Sequence, residues 1–136
     1  WYKPGMPENP VSGEGFLQAS LCTDALGLPG AEDFAFARQL CEGWGRWDFT
    51  PCPEVLLAYR EEIPAARSGV RTVLYLPTAA PLPLADTLSV QKIYFIDLET
   101  RKTLPAHCLY KAGVLHLEQA PCYRDALLII EGESPC

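Results

Sequence analysis

The chain has 136 residues, of which 49% are apolar and 21% are charged, and these values exclude bulk disorder and allow a folded core. Eleven Lys and Arg residues face seventeen Asp and Glu residues, which gives a net charge of -6. An acidic chain without a basic cluster is a poor match for nucleic acid and for anionic lipid, so we expect neither as a partner.

The beginning of the chain is predicted to be irregular. Three prolines and three glycines within residues 1–15 interrupt helix and strand alike, and we interpret this segment as an N-terminal arm. Residues 16–136 are predicted to form a single globular domain. Prolines interrupt the longest uncharged stretch, 72–85, so no membrane span is expected, although a lost lipid anchor ahead of residue 1 fits the sequence.

A helix is predicted over residues 31–42. Glu32 and Asp33 place negative charge in its first turn, where the helix dipole favours it. Gly43 is the predicted C-terminal stop.

The loop that follows is rich in aromatic residues. Exposed Trp and Arg side chains contribute most to many protein interfaces, so this loop is the first candidate for a binding surface. The alternative interpretation is that the aromatic rings cover the sheet. The predicted binding residues here are Trp44, Arg46, Trp47 and Asp48.

The second half of the chain has the pattern of β-structure. Short apolar or alternating runs separated by polar turns predict an antiparallel sheet or a small β-sandwich, and with the helix an α+β fold that is mainly β. Residues 54–62 alternate as in a strand, with a helix start as the alternative. The other predicted strands are 70–76, 89–98, 104–110, 114–118 and 126–131. The predicted core comprises Phe34, Leu40, Cys41, Val73, Tyr75, Ile93, Phe95, Leu127 and Ile129.

A proline-rich connection, residues 77–85, is the second candidate for a binding loop. Prolines stiffen it, and a pre-organised loop loses little entropy on binding. The alternative is that its apolar residues pack on the sheet. Pro81 and Leu82 are the predicted contacts, and Asp86 would meet basic groups of the partner.

Six cysteines are spread along the chain and none forms a Cys-x-x-Cys pair, which argues against a zinc ribbon. An even number favours three disulfides and therefore an extracytoplasmic location, periplasmic, surface-anchored or secreted. The absence of a glycosylation sequon favours a bacterial source. The proposed pairs are Cys41–Cys52, Cys108–Cys122 and Cys22–Cys136.

No catalytic motif is present, so we predict a non-enzymatic protein without metal or cofactor. His107, His116 and Glu118 are a weak candidate metal set. The favoured function is binding and neutralising another protein, such as a basic secreted enzyme or a toxin, as an inhibitor or immunity protein. The alternatives are a small hydrolase that uses Asp97 and Glu99, and a structural or adhesin-like surface domain.

Overall fold

Two compact units make up the chain, Trp1–Trp47 and Asp48–Cys136. The computed structural model describes residues 27, 29–78, 80–85, 90–122 and 124–132. The predicted boundary after residue 15 lies outside the described residues and stays a prediction.

Helix α1, Pro29–Trp44, extends the predicted helix by two residues at each end. It ends at Gly45, whose φ of 64° is the left-handed conformation typical of a helix C-terminus. The Arg46 N–H donates to the Cys41 carbonyl at 3.2 Å and the Gly45 N–H to the Glu42 carbonyl at 3.0 Å, as in a Schellman motif. The predicted stop at Gly43 is therefore wrong. Within the described ranges, no helix is long and apolar enough to cross a membrane.

The predicted apolar face of α1 is displaced. Phe34 was expected in the core, but its side chain is 82% exposed. Phe36, Leu40 and Trp44, which are spaced four residues apart, are half-buried, and so are Ala31 and Cys41.

The second unit contains two antiparallel sheets, which confirms the α+β, mainly β prediction with one α-helix in the described part. The larger sheet has the strand order β1-β2-β3-β9-β5-β6, and the smaller sheet has the order β4-β8-β7. The strands are β1 (Thr50–Pro51), β2 (Ala65–Ser68), β3 (Arg71–Leu76), β4 (Leu82–Leu84), β5 (Lys92–Asp97), β6 (Thr103–Pro105), β7 (Cys108–Lys111), β8 (Val114–Leu117) and β9 (Ala126–Glu131).

The core of this unit forms from the inward side chains of both sheets. Strand β9 lies at the centre of the larger sheet, where Leu128 is opposite Leu74 of β3 and Phe95 of β5. The smaller sheet contributes three leucines to the same cluster of buried residues: Leu82, Leu84 and Leu117.

The prediction of which β3 residues face the core is wrong. Leu74 and Leu76 are 0% and 2% exposed, whereas Val73 and Tyr75 are half-buried on the opposite face. The last four residues of β3, Val73–Leu76, are all apolar, so the sequence gives no period-2 contrast between its two faces. A shift of one residue then exchanges the faces. The Tyr75 hydroxyl donates to the Asp125 carboxylate at 3.1 Å.

Two predicted strands differ from the structure. In place of the predicted strand 54–62, the structure has a short 3-10 helix, Pro53–Val55, followed by a single bridge between Leu56 and Leu84. The predicted strand 104–110 is split, because β6 pairs with β5 of the larger sheet while β7 pairs with β8 of the smaller one.

The predicted disulfide bracing is not found among the described cysteines. Cys41, Cys52, Cys108 and Cys122 are all free thiols, so the proposed Cys108–Cys122 pair is not present. Cys41 and Cys52 belong to different units, and their proposed pairing stays a prediction. Cys108 is opposite Leu117 in the β7–β8 ladder, and buried Cys52 and Cys122 belong to the apolar core cluster instead. The third pair, Cys22–Cys136, lies outside the described residues. The extracytoplasmic location consequently loses this support and stays a prediction.

The β7–β8 hairpin contains a strained residue that allows a stability test. Ala112 and Gly113 have φ angles of 52° and 78°, as a two-residue type I′ turn requires. Because the left-handed region disfavours alanine, Ala112→Gly is expected to raise the free energy of unfolding by about 0.5–1 kcal/mol in urea titrations.

Ala106→Gly is the matched control, because Ala106 lies in a neighbouring connection without a positive φ. This variant should lower stability through the greater entropy of the unfolded chain. An equal loss of stability in both variants would contradict the assigned turn.

Candidate binding site

An open cleft of about 350 Å³ lies at the β1–β2 side of the larger sheet, within the second unit. Its volume is at the lower end of the range of ligand pockets. Two segments line it. One surrounds β1 and the other is the end of β2 with the turn after it: Asp48, Thr50, Pro51, Cys52, Glu54, Arg67, Ser68 and Gly69.

Short-range pairing builds the walls of the cleft. Strand β1 is only two residues long and places Thr50 opposite Arg67 of β2. The Cys52 N–H donates to the Ala65 carbonyl at 2.9 Å, which continues this pairing by one residue. Gly69 has a φ of 56° in the turn between β2 and β3, a conformation that glycine adopts without strain.

A side-chain hydrogen bond joins the two walls. The Ser68 hydroxyl donates to Asp48 Oδ1 at 2.6 Å, and Ser68 is 5% exposed. A buried hydroxyl costs free energy unless it is paired, so this bond fixes the Asp48 carboxylate at the edge of the sheet.

The charge of the cleft is negative on balance. Asp48 and exposed Glu54 contribute two carboxylates, and Arg67 contributes one guanidinium. Arg67 Nε donates to the buried Thr72 hydroxyl at 3.0 Å, which orients the guanidinium. Burial raises the pKa of the Cys52 thiol, so this thiol is protonated at neutral pH and is a poor nucleophile.

The cleft does not pair its serine with a histidine. Neither His107 nor His116 lines it, so Ser68 has no imidazole base there. In the part of the chain that the structure describes, no group of three or more His, Cys, Asp or Glu side chains could hold a metal ion. The weak candidate set of His107, His116 and Glu118 is therefore not assembled as a site.

The two carboxylates of the hydrolase alternative have structural partners. The Asp97 carboxylate accepts hydrogen bonds from the Glu99 N–H at 2.9 Å and from the Thr100 hydroxyl and N–H at 2.8 and 3.3 Å. The Thr100 side-chain bond is the main cause of a lowered Asp97 pKa. Glu99 is exposed, and its Oε2 lies 3.8 Å from Nε of Arg124. This arrangement organises the β5–β6 turn and leaves no proton on Asp97 for general acid catalysis near neutral pH.

The residues predicted to bind differ in their exposure. Trp44 is half-buried at the end of α1, while Arg46 is exposed and Trp47 is 65% exposed. Pro81 is exposed, but Leu82 is 3% exposed in the core, so its side chain is not offered to a partner. Asp86 lies outside the described residues.

Asp48 is the predicted residue that the structure places in the cleft. Ser68 and Arg67 were not predicted, because strand pairing brings them to the Asp48 segment across about twenty residues. Glu54 lies six residues after Asp48 and was not predicted either. The Ser68-Gly69 step before the run Val70–Val73 was the available signal for a turn here. The binding roles of Arg46, Trp47 and Asp48 stay predictions.

No protein family model and no curated protein sequence matches the chain. A solved structure described as a glycoside hydrolase is similar, with a TM-score of 0.64 and 17% sequence identity. The similarity covers 94% of this chain and 31% of the glycoside hydrolase chain. At this identity the comparison shows a shared fold, and this chain corresponds to about a third of the length of that protein.

Proposed function

We propose that this chain is a non-catalytic module that binds another protein, and that the cleft receives a basic side chain of that partner. The observation that carries this proposal is the pair of carboxylates, Asp48 and Glu54, at the rim of an open cleft. Two carboxylates and one guanidinium leave the lining of the cleft with one net negative charge, which favours the approach of a cation.

The charge of the whole chain supports a basic partner. A net charge of -6 attracts a positively charged protein at long range and speeds association at low salt. Neutralisation of that partner outside the cytoplasm, as an inhibitor or immunity protein would perform it, is part of the same proposal.

The structural neighbour supports a class of partner. The similarity covers about a third of the glycoside hydrolase chain, and the rest of that chain has no counterpart in this protein. We therefore propose that the partner is the catalytic domain of a carbohydrate-cleaving enzyme. The hydrolase alternative receives less support, because Asp97 is engaged in the turn.

The test uses a tri-arginine peptide as the probe and tri-citrulline as its uncharged counterpart. Amide NMR shifts of the labelled protein are expected to change at Asp48, Ser68 and Gly69 with tri-arginine and to stay unchanged with tri-citrulline. Glu54→Gln should weaken tri-arginine binding about 2–5-fold, since exposed ion pairs contribute little each.

Glu61→Gln is the matched control, because it removes the same charge from an exposed residue outside the cleft. It should leave the peptide affinity nearly unchanged. Shifts scattered over other acidic surfaces, with the same loss in both variants, would sink the proposed cleft.

With an identified protein partner, Trp47→Ala tests the predicted aromatic contact. Because Trp47 is 65% exposed, its loss should leave the fold intact. Partner affinity should fall by about 2 kcal/mol or more if Trp47 is an interface anchor.

A further inference from the structure

The outer face of the smaller sheet carries a row of side chains that crosses four neighbouring segments. His116 of β8 is opposite Pro83 of β4 on one side and Leu109 of β7 on the other. The Leu56–Leu84 bridge and the bond from the Leu57 N–H to the Pro83 carbonyl at 3.4 Å add Leu57 to the row. The row therefore reads Leu57, Pro83, His116, Leu109, and we call it the outer row.

The outer row faces solvent within the described part of the chain. Leu57 is 56% exposed and Leu109 is 60% exposed, and His116 is exposed between them. On β4 and β8 the residues that alternate with the row point inward, and Leu84 and Leu117 are 0% and 1% exposed, whereas Tyr110 of β7 is 62% exposed. The two exposed leucines stand at the ends of the row, with half-buried Pro83 and exposed His116 between them, and a partner that covers the row would bury both leucines.

Opposite charges flank the outer row at equal spacing. Lys111 lies two residues beyond Leu109 on β7, so the two side chains are on the same face of the sheet. Glu118 lies two residues beyond His116 in the other direction, where its N–H donates to the His107 carbonyl at 2.9 Å. The face is therefore positive at one end and negative at the other, with the outer row between them.

We propose that this face binds a second copy of the chain through a two-fold axis that runs along the outer row. Rotation about this axis stacks the row on itself and reverses the strand direction. Lys111 of one copy then lies above the end of the other copy that carries Glu118. A two-fold interface needs such a self-complementary surface, and the outer row with its two opposite charges supplies it.

A charge exchange tests the two-fold geometry directly. Sedimentation analysis across a concentration series is expected to show a monomer–dimer equilibrium for the natural chain. Glu118→Lys alone and Lys111→Glu alone each place like charges opposite one another, and each should weaken the dimer about tenfold or more. The combination of both changes should restore the natural affinity, which a merely misfolded variant would not do.

Leu109→Asp should abolish the dimer, while Val70→Asp should not, because Val70 is 43% exposed in the β2–β3 turn away from the outer row. Thermal unfolding of each variant verifies that it is folded. A monomer at every soluble concentration would overturn the proposal. A dimer that the double exchange fails to restore would overturn it as well. Glu54→Gln should leave the dimer unchanged, so this result is independent of the cleft.

Discussion

Replacement of Phe95 by Ala is expected to lower the free energy of unfolding by about 3–5 kcal/mol. Phe95 is 1% exposed and lies between Leu128 of β9 and Leu104 of β6 in the larger sheet. Its removal leaves a cavity that these neighbours, fixed by backbone pairing on both sides, can fill only in part. Urea unfolding followed by circular dichroism measures the change.

Tyr59→Ala is the control for this variant, because it also removes an aromatic ring but from a side chain that is 73% exposed. Its effect should stay within about 0.5 kcal/mol. A Phe95→Ala protein as stable as Tyr59→Ala would mean that the two faces of β5 are exchanged.

Replacement of Asp97 by Ala is expected to cost about 1.5–3 kcal/mol at neutral pH. Asp97 is 9% exposed and accepts three hydrogen bonds that hold the β5–β6 turn. Hydrogen bonds to a charged group contribute more than neutral ones, and three N–H or O–H donors would lose their acceptor together.

The contribution of Asp97 to the free energy of unfolding depends on pH, and the sign of this dependence follows from its pKa. The pKa of Asp97 is lowered, first by the Thr100 side-chain bond, so the folded state holds its proton less tightly than the unfolded state. Its stabilising contribution is therefore complete above the unfolded pKa, about 3.9, and disappears as the pH falls through the lower folded value.

The difference in stability between the natural chain and Asp97→Asn should thus shrink in acid. Unfolding titrations from pH 7 to pH 2 measure it, with Glu99→Gln as the exposed counterpart that should show almost no difference. A difference that is constant across this pH range would show that the carboxylate charge has no part in holding the turn.

The elements that could be predicted are those with a strong local pattern. The helix was predictable from the acidic residue in its first turn, and β5 was predictable from its run of β-branched and aromatic residues, Ile93–Ile96. The residue at which the helix ends was not predictable, because Gly43 and Gly45 both permit a stop. The hydrogen bonds at the helix end select Gly45. The faces of β3 were not predictable because both are apolar.

Features that depend on long-range pairing could not be predicted from the sequence. The count of cysteines indicated disulfides, yet Cys52 and Cys122 pack as small apolar side chains. The cleft depends on the bond between Ser68 and Asp48, and the outer row depends on the register of the smaller sheet. Local propensity contains neither register nor the pairing of distant segments.

The most direct test of the central claim, that the chain binds rather than catalyses, is a turnover assay. The purified protein is incubated with a panel of polysaccharides and peptides, and the release of reducing ends and new amines is measured. No release above buffer is expected for the natural chain. Turnover that is lost in Glu99→Gln, or in Ser68→Ala for the cleft, would contradict it, because either loss would assign catalysis to residues that are given structural roles here.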